Sequence, residues 1–133
     1  METIRWGIIG CGSMGREHIL NLAALGGAEV TALADTDAGS RATALALARE
    51  SRFAPRVFED HRELLASGRV DAVAVATPNF THAAILRDVL ATEIHLLAEK
   101  PLVTRIEDGL DLLKRAEGRR ALAWVAQEYR YMP

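Results

Sequence analysis

The chain has 133 residues and one cysteine, Cys11, so no disulfide can form within it. Aromatic residues make up only 5% of the sequence and prolines number four, with no low-complexity tract or short-period repeat. Fibrous and compositionally disordered classes are thereby excluded. Charge of one sign is also missing: the net charge is −2, and no basic run exceeds two residues. That leaves no electrostatic footprint for a nucleic acid, and no nucleic-acid partner is expected. Apolar runs are strand-sized, too short to cross a bilayer as a helix, and no membrane association is expected. The N-terminal METIRWGIIG lacks a basic stretch followed by a long apolar one, so no signal peptide is expected. With a lone cysteine, a cytoplasmic location is the expectation, and no metal site is anticipated.

What is there is an ordinary globular composition, with 50% apolar and 26% charged residues, enough for one domain with one sizeable core. Short β-rich runs alternate with helical segments. Ile4–Ile9, Glu29–Ala34, Asp71–Ala76 and Ile94–Ala98 read as strands covered on both faces, because their apolar runs are continuous rather than alternating. Val57–Phe58 and Arg120–Val125 complete a set of six. Met14, His18, Leu22 and Leu25 recur at helical spacing and stop at Gly26–Gly27. Asp37 is placed to cap a second helix, in which Ala42, Leu45, Ala46 and Arg49 share a face. A third helix spans Arg62–Ala66, and Ala83, Leu86 and Leu90 mark a fourth. Thr104 and Glu107 have capping-box spacing for a fifth, expected to turn Ile106, Leu110 and Leu113 inward and to end at Gly118.

The first strand runs into Gly10-Cys11-Gly12-Ser13-Met14-Gly15, which matches G-x-G-x-x-G. Each glycine has its own reason: Gly10 for the tight turn, Gly12 for close approach of a pyrophosphate, Gly15 for packing the helix on the strand. Free N–H groups and the helix dipole then favour an anion at that end. Cys11 reads as a small loop residue whose amide matters more than its thiol. Asp35 stands twenty positions beyond Gly15, at the end of the second strand, with Thr36 beside it. A carboxylate there accepts ribose hydroxyls and repels a 2′-phosphate, favouring NAD over NADP. Arg41, a turn further on, keeps NADP use open. The expected architecture is a doubly wound parallel α/β sheet of the Rossmann type, strand order 3-2-1-4-5-6, with right-handed crossovers.

Two further runs, Ala76-Thr77-Pro78-Asn79-Phe80-Thr81-His82 and Ala98-Glu99-Lys100-Pro101, have the order and spacing of the A-T-P-N-x-x-H and E-K-P signatures. With the glycine loop, Asp35 and Gln127-Glu128-Tyr129-Arg130-Tyr131, the chain resembles the glucose–fructose oxidoreductase/inositol dehydrogenase (Gfo/Idh/MocA) family along essentially its whole length. The resemblance implies a cofactor loop at Thr77, Pro78 and Asn79 and a histidine, His82, near it. It also implies Glu99 by the nicotinamide ribose and Gln127 toward the nicotinamide. Lys100 matches the lysine that meets the reacting hydroxyl or carbonyl. An amine there can exchange a proton with a hydroxyl or, as a cation, polarise a carbonyl. One departure is Glu93, where a turn glycine is common.

The resemblance implies a hydride-transferring oxidoreductase acting on a sugar, polyol or related hydroxy or keto substrate. On that resemblance, residues 1–126 are expected to form its dinucleotide-binding domain and 127–133 to begin the connection to a substrate domain absent from this sequence. The second reading is a stand-alone nucleotide-binding or regulatory module. An S-adenosylmethionine-dependent methyltransferase shares the glycine loop and the acid but not the two later signatures. An exposed apolar surface including Tyr129, Tyr131 and Met132, and with it a homo-oligomer, is expected.

Overall fold

The computed structural model describes residues 2–133. Its strands are β1 (Ile4–Ile9), β2 (Ala28–Ala34), β3 (Arg56–Phe58), β4 (Ala72–Val75), β5 (His95–Glu99) and β6 (Ala123–Ala126). The helices are α1 (Ser13–Leu25), α2 (Ala38–Glu50), α3 (His61–Ala66), α4 (His82–Leu90) and α5 (Ile106–Ala116). Short 3-10 turns occupy Asn79–Thr81 and Glu128–Tyr131. All pairings are parallel, in the order β3-β2-β1-β4-β5-β6. This is the doubly wound sheet expected from the alternation.

Continuous apolar strands serve two cores. Ile8, Val30, Leu33 and Ala74 pack beneath α1 and α2 with Ile19, Leu22, Ala44 and Ala48. Ile9, Val73, Val75, Leu96 and Ala98 face the other way, onto Leu64, Leu86, Val89 and Leu112 from α3, α4 and α5. Adjacent residues of one strand thus feed opposite layers, which is why alternation is absent from the sequence. No helix among the described residues is long and apolar enough to cross a membrane.

Helix ends match the expectation better than helix faces do. Asp37 caps α2 by accepting from the Ser40 N–H at 2.7 Å, and this bond holds its carboxyl below the usual carboxylate range. In α1, however, Gly15, Ile19 and Leu22 turn inward, while Met14 and Leu25 are exposed. In α2 the buried residues are Ala44 and Ala48, one position round from the expected face.

The largest correction concerns α5. Its N-cap is Arg105 with no side-chain bond, so the Thr104–Glu107 box does not form. Ile106, Leu110 and Leu113 point outward, at 79%, 62% and 64% exposure, and Leu112 is the buried residue. The physical reason lies in the neighbouring helix. Arg87 of α4 binds Asp111 at 2.7 Å and Asp108 at 2.6 Å, and Arg115 shares Asp111 at 2.9 Å. That network fixes the rotation of α5, and small Gly109 and Ala116 then approach the sheet with Leu112. Periodicity alone marks an apolar stripe but not the direction it faces.

Glu93 needs no left-handed backbone: among the described residues Arg52 is the only non-glycine with positive φ. Its carboxylate instead accepts the Arg120 and Ala121 N–H groups, both at 3.2 Å, and tethers the turn to the start of β6.

Candidate functional site

The loop between β1 and α1 sits at the C-terminal edge of the sheet. Gly10 adopts φ +97°, and a Cβ there would lie 2.6 Å from the Ala76 carbonyl, so the turn is clamped against the end of β4. A Cβ at Gly15 would meet the Gly10 oxygen at 1.8 Å, which lets α1 start directly on the loop. Gly12 differs, because a Cβ there would meet nothing within 4 Å. No protein atom requires glycine at Gly12, so the space it leaves is available to a ligand. Gly12 is also the N-cap of α1, without a side-chain cap and without an acid in the first turn. The opening N–H groups, from Ser13 and Met14 onward, therefore face solvent with the positive end of the helix dipole, a ready anion cradle.

Asp35 is fixed from two sides: Oδ2 accepts the Cys11 N–H at 2.8 Å and Oδ1 accepts the Asp37 N–H at 2.8 Å. Each oxygen retains a further lone pair for a hydroxyl. The Cys11 amide thus serves Asp35 rather than an open anion site. Arg41 does not reach outward. Its guanidinium donates to the Asp35 and Thr36 carbonyls at 2.7 and 3.0 Å and to Glu59 at 3.2 Å, holding the loop from below.

The Cys11 side chain is fully buried, and burial, with the Asp35 carboxylate beside it, pushes its thiol up to about 12. Iodoacetamide reacts with thiolate, so at pH 8 the folded chain is expected to resist alkylation that unfolded chain undergoes within minutes. Mass spectrometry with and without denaturant checks this; rapid labelling of folded chain would contradict the buried loop geometry.

A cleft of about 700 Å³ opens beside Asp35 and Thr36, walled by Ala34, Thr77, Pro78, Phe80, Thr81 and Ile85 on one side. Its other wall is Glu59-Asp60-His61-Arg62, which no sequence motif marked. His61 is anchored there by Asp88 at 2.7 Å, and Arg62 reaches the same carboxylate at 3.1 Å. The cleft brings together Asp35, Thr36, Thr77 and Pro78 from the ends of β2 and β4. Asn79 is exposed beside it in the 3-10 turn.

His82 stands elsewhere. It is fully buried, with Nδ1 2.8 Å from the Pro101 oxygen and Nε2 3.0 Å from the Thr77 oxygen. A buried side chain engaged at both nitrogens cannot itself line the cleft; it braces the Thr77 loop against the Lys100–Pro101 loop. Glu99 is also buried, at 8% exposure. Its Oε1 lies 2.8 Å from His18 Nε2 of α1, and its Oε2 accepts the Lys100 N–H at 3.3 Å. The His18–Glu99 pair joins the first helix to the end of β5, a link that helical periodicity read only as an inward histidine. Lys100 is exposed just past β5 and forms no ion pair among the described residues. Gln127 follows β6 and is exposed, its N–H turned back to the Val125 oxygen at 2.8 Å. Among the described residues, no group of three or more His, Cys, Asp or Glu side chains is arranged to hold a metal ion.

Residues 4–127 match the model of the family described as "Oxidoreductase family, NAD-binding Rossmann fold". The chain belongs to this family. Inositol 2-dehydrogenase 2 of Paenarthrobacter aurescens is 40% identical over 111 residues, covering 83% of this chain and 32% of that protein. The rhizopine catabolism protein MocA of Rhizobium meliloti is 30% identical over 133 residues, 100% of this chain and 40% of its own length. Among solved structures, myo-inositol dehydrogenase from Lactobacillus casei in complex with NAD(H) and myo-inositol superposes with a TM-score of 0.90. It is 31% identical, and the match covers 98% of this chain and 38% of that one. A 3-ketoreductase from Actinomadura kijaniata in complex with NADP and TDP-benzene gives 0.86 at 30% identity, covering 99% and 39%.

Within the family, then, this chain is an NAD-binding Rossmann domain, and it spans between 32% and 40% of the length of these relatives. The residues present fit the cofactor: an open, uncapped helix start at Gly12 for phosphates, and a carboxylate held at the second strand end for a ribose. One relative is solved with NAD(H) and another with NADP, so membership alone does not set the preference.

Proposed function

We propose that this chain holds NAD(H) along the C-terminal edge of its sheet for an oxidoreductase acting on a sugar, polyol or related hydroxy or keto compound in the cytoplasm. The observation that carries the reading is Gly12: open space at an uncapped helix start, in line with a fixed Asp35. Gly10, Ser13, Met14 and Gly15 would shape the phosphate cradle, and Cys11 would act through its amide by orienting Asp35. Thr36, Thr77, Pro78 and Asn79 would flank the adenosine half, with His82 bracing their loop. When bound, the nicotinamide supplies a hydride acceptor or donor. Lys100, exposed just beyond β5 and without an ion pair among the described residues, would meet the substrate oxygen and hold or move its proton. Glu99 and Gln127 would frame the nicotinamide end, and a substrate-binding region beyond residues 127–133 would complete the site.

Asp35 supports a preference for NAD, because its carboxylate repels a 2′-phosphate and Arg41 is tied to carbonyls and Glu59 rather than free to neutralise one. Calorimetry with NADH and NADPH tests this. NADH is expected to bind at least about tenfold more tightly, and Asp35→Ala to narrow that gap. Equal affinities in the unaltered chain would remove the preference, and binding of neither nucleotide would remove the reading.

A further inference from the structure

Of the thirteen large apolar side chains exposed among the described residues, eight lie from Ile106 onward, on and around α5 and β6. Three of them, Ile106, Leu110 and Leu113, form a stripe along α5 about 10 Å long at helical rise. Two other sides of this helix are taken. Asp108 and Asp111 face Arg87 of α4, and Gly109, Leu112 and Ala116 face the sheet. The stripe is left on the flank away from α4, toward the free edge of β6. Leu113 also borders a groove of about 370 Å³ between α5 and the sheet, lined by Leu86 and Leu90 of α4 and by Trp124 and Val125 of β6.

The two edges of the sheet differ. β3 is three residues long and carries Arg56 next to Pro55, a charge and an imino acid that discourage pairing. β6 reads Ala-Trp-Val-Ala, with no charge and no proline, and pairs on one side only. An unprotected edge strand beside an unpartnered apolar helix stripe is the pattern of a buried interface.

We infer that this face is an isologous interface between two copies of the chain, with α5 antiparallel to α5 of the second copy. A two-fold axis normal to the sheet sets β6 beside its counterpart in antiparallel register and keeps both α5 helices on one side of the extended sheet. Charge selects this partner. The first turn of α5 is acidic, with exposed Glu107, and the last is basic, with exposed Lys114. The two are seven residues apart and share one flank of the stripe. In an antiparallel pair that flank meets its own copy, so Glu107 of each chain approaches Lys114 of the other, twice by symmetry. Among the described residues the ion-pair partner of Glu107 is Arg105, at 3.6 Å and in solvent, a contact easily exchanged.

Sedimentation equilibrium of the full chain from low micromolar to several hundred micromolar tests the interface, with NADH binding and a thermal melt as checks on folding. A dimer is expected. Leu110→Glu should weaken it by about 100-fold or more, and Glu107→Lys or Lys114→Glu by about tenfold each, since every substitution acts at both symmetric sites. The double exchange E107K/K114E should recover dimerisation to within about threefold of the original. All three positions are exposed, so the monomer should stay folded and keep its nucleotide affinity. A monomer across the whole range overturns the inference, as does a dimer indifferent to Leu110→Glu or one that the double exchange fails to restore. Those outcomes would leave the face to another occupant, such as a further stretch of a longer chain, and would leave the nucleotide reading untouched.

Discussion

Replacing Gly12 by valine should abolish NADH binding while leaving the fold in place. The expected loss of affinity is about 100-fold or more, equivalent to at least about 2.7 kcal/mol. The reasoning is geometric. A Cβ at Gly12 meets no protein atom within 4 Å, so packing does not resist the substitution, and φ −72° is open to any residue. What valine fills is the volume in front of the first N–H groups of α1, where the proposed function puts the pyrophosphate. The cost to stability is confined to the weaker N-cap, about 1 kcal/mol, or a few degrees in Tm. Calorimetry and a thermal melt on the same sample separate the two effects. Undiminished NADH binding by the variant would show that the cofactor phosphates do not lie at this helix start.

Gly15→Ala should do the reverse and unfold or strongly destabilise the domain. Here the added Cβ falls 1.8 Å from the Gly10 oxygen and 2.9 Å from its carbonyl carbon. Both are backbone atoms of a turn already clamped to Ala76 at the end of β4, so neither can swing aside as a flexible side chain would. Either α1 moves off β1, opening the layer built on Ile8, Ile19 and Leu22, or the loop deforms. A cost of at least about 3 kcal/mol follows, a large share of the stability of a domain this size. Urea denaturation followed by circular dichroism measures it; a shift below about 1 kcal/mol would mean that the loop adapts freely. The two glycines lie three residues apart in one motif, and these opposite outcomes would separate a position left open for a ligand from a position required by the fold.

Several chemical features were legible because they rest on local stereochemistry. Gly10, Gly12 and Gly15 are spaced for a strand-to-helix turn, and Asp35 closes the next strand, so the sequence announces the loop and its acid together. The Asp37 cap depends only on residues within one turn. What sequence reading missed depends on contacts far apart in the chain. The wall at Glu59–Arg62 reaches the cleft because β3 pairs with β2 and sets α3 beside Thr77 and Pro78. His18 meets Glu99 across 81 positions, and His82 reaches Pro101 across 19. A motif identifies His82 as a member of a loop signature, but burial decides that it acts as a brace.

Strand number, parallel order and the place of the glycine loop were determined by the sequence alone, since apolar runs, helix stops and glycine stereochemistry are short-range properties. The rotation of each helix about its axis was decided only in the tertiary structure. An amphipathic pattern has a period but no absolute phase. In α5 the phase was set by Arg87 binding Asp108 and Asp111, which turned Leu112 to the sheet and left Ile106, Leu110 and Leu113 in solvent. Tertiary packing likewise drew Arg41 beneath the Asp35 loop and gave the Cys11 amide to a carboxylate, because buried donors and acceptors must find partners wherever the fold brings them together.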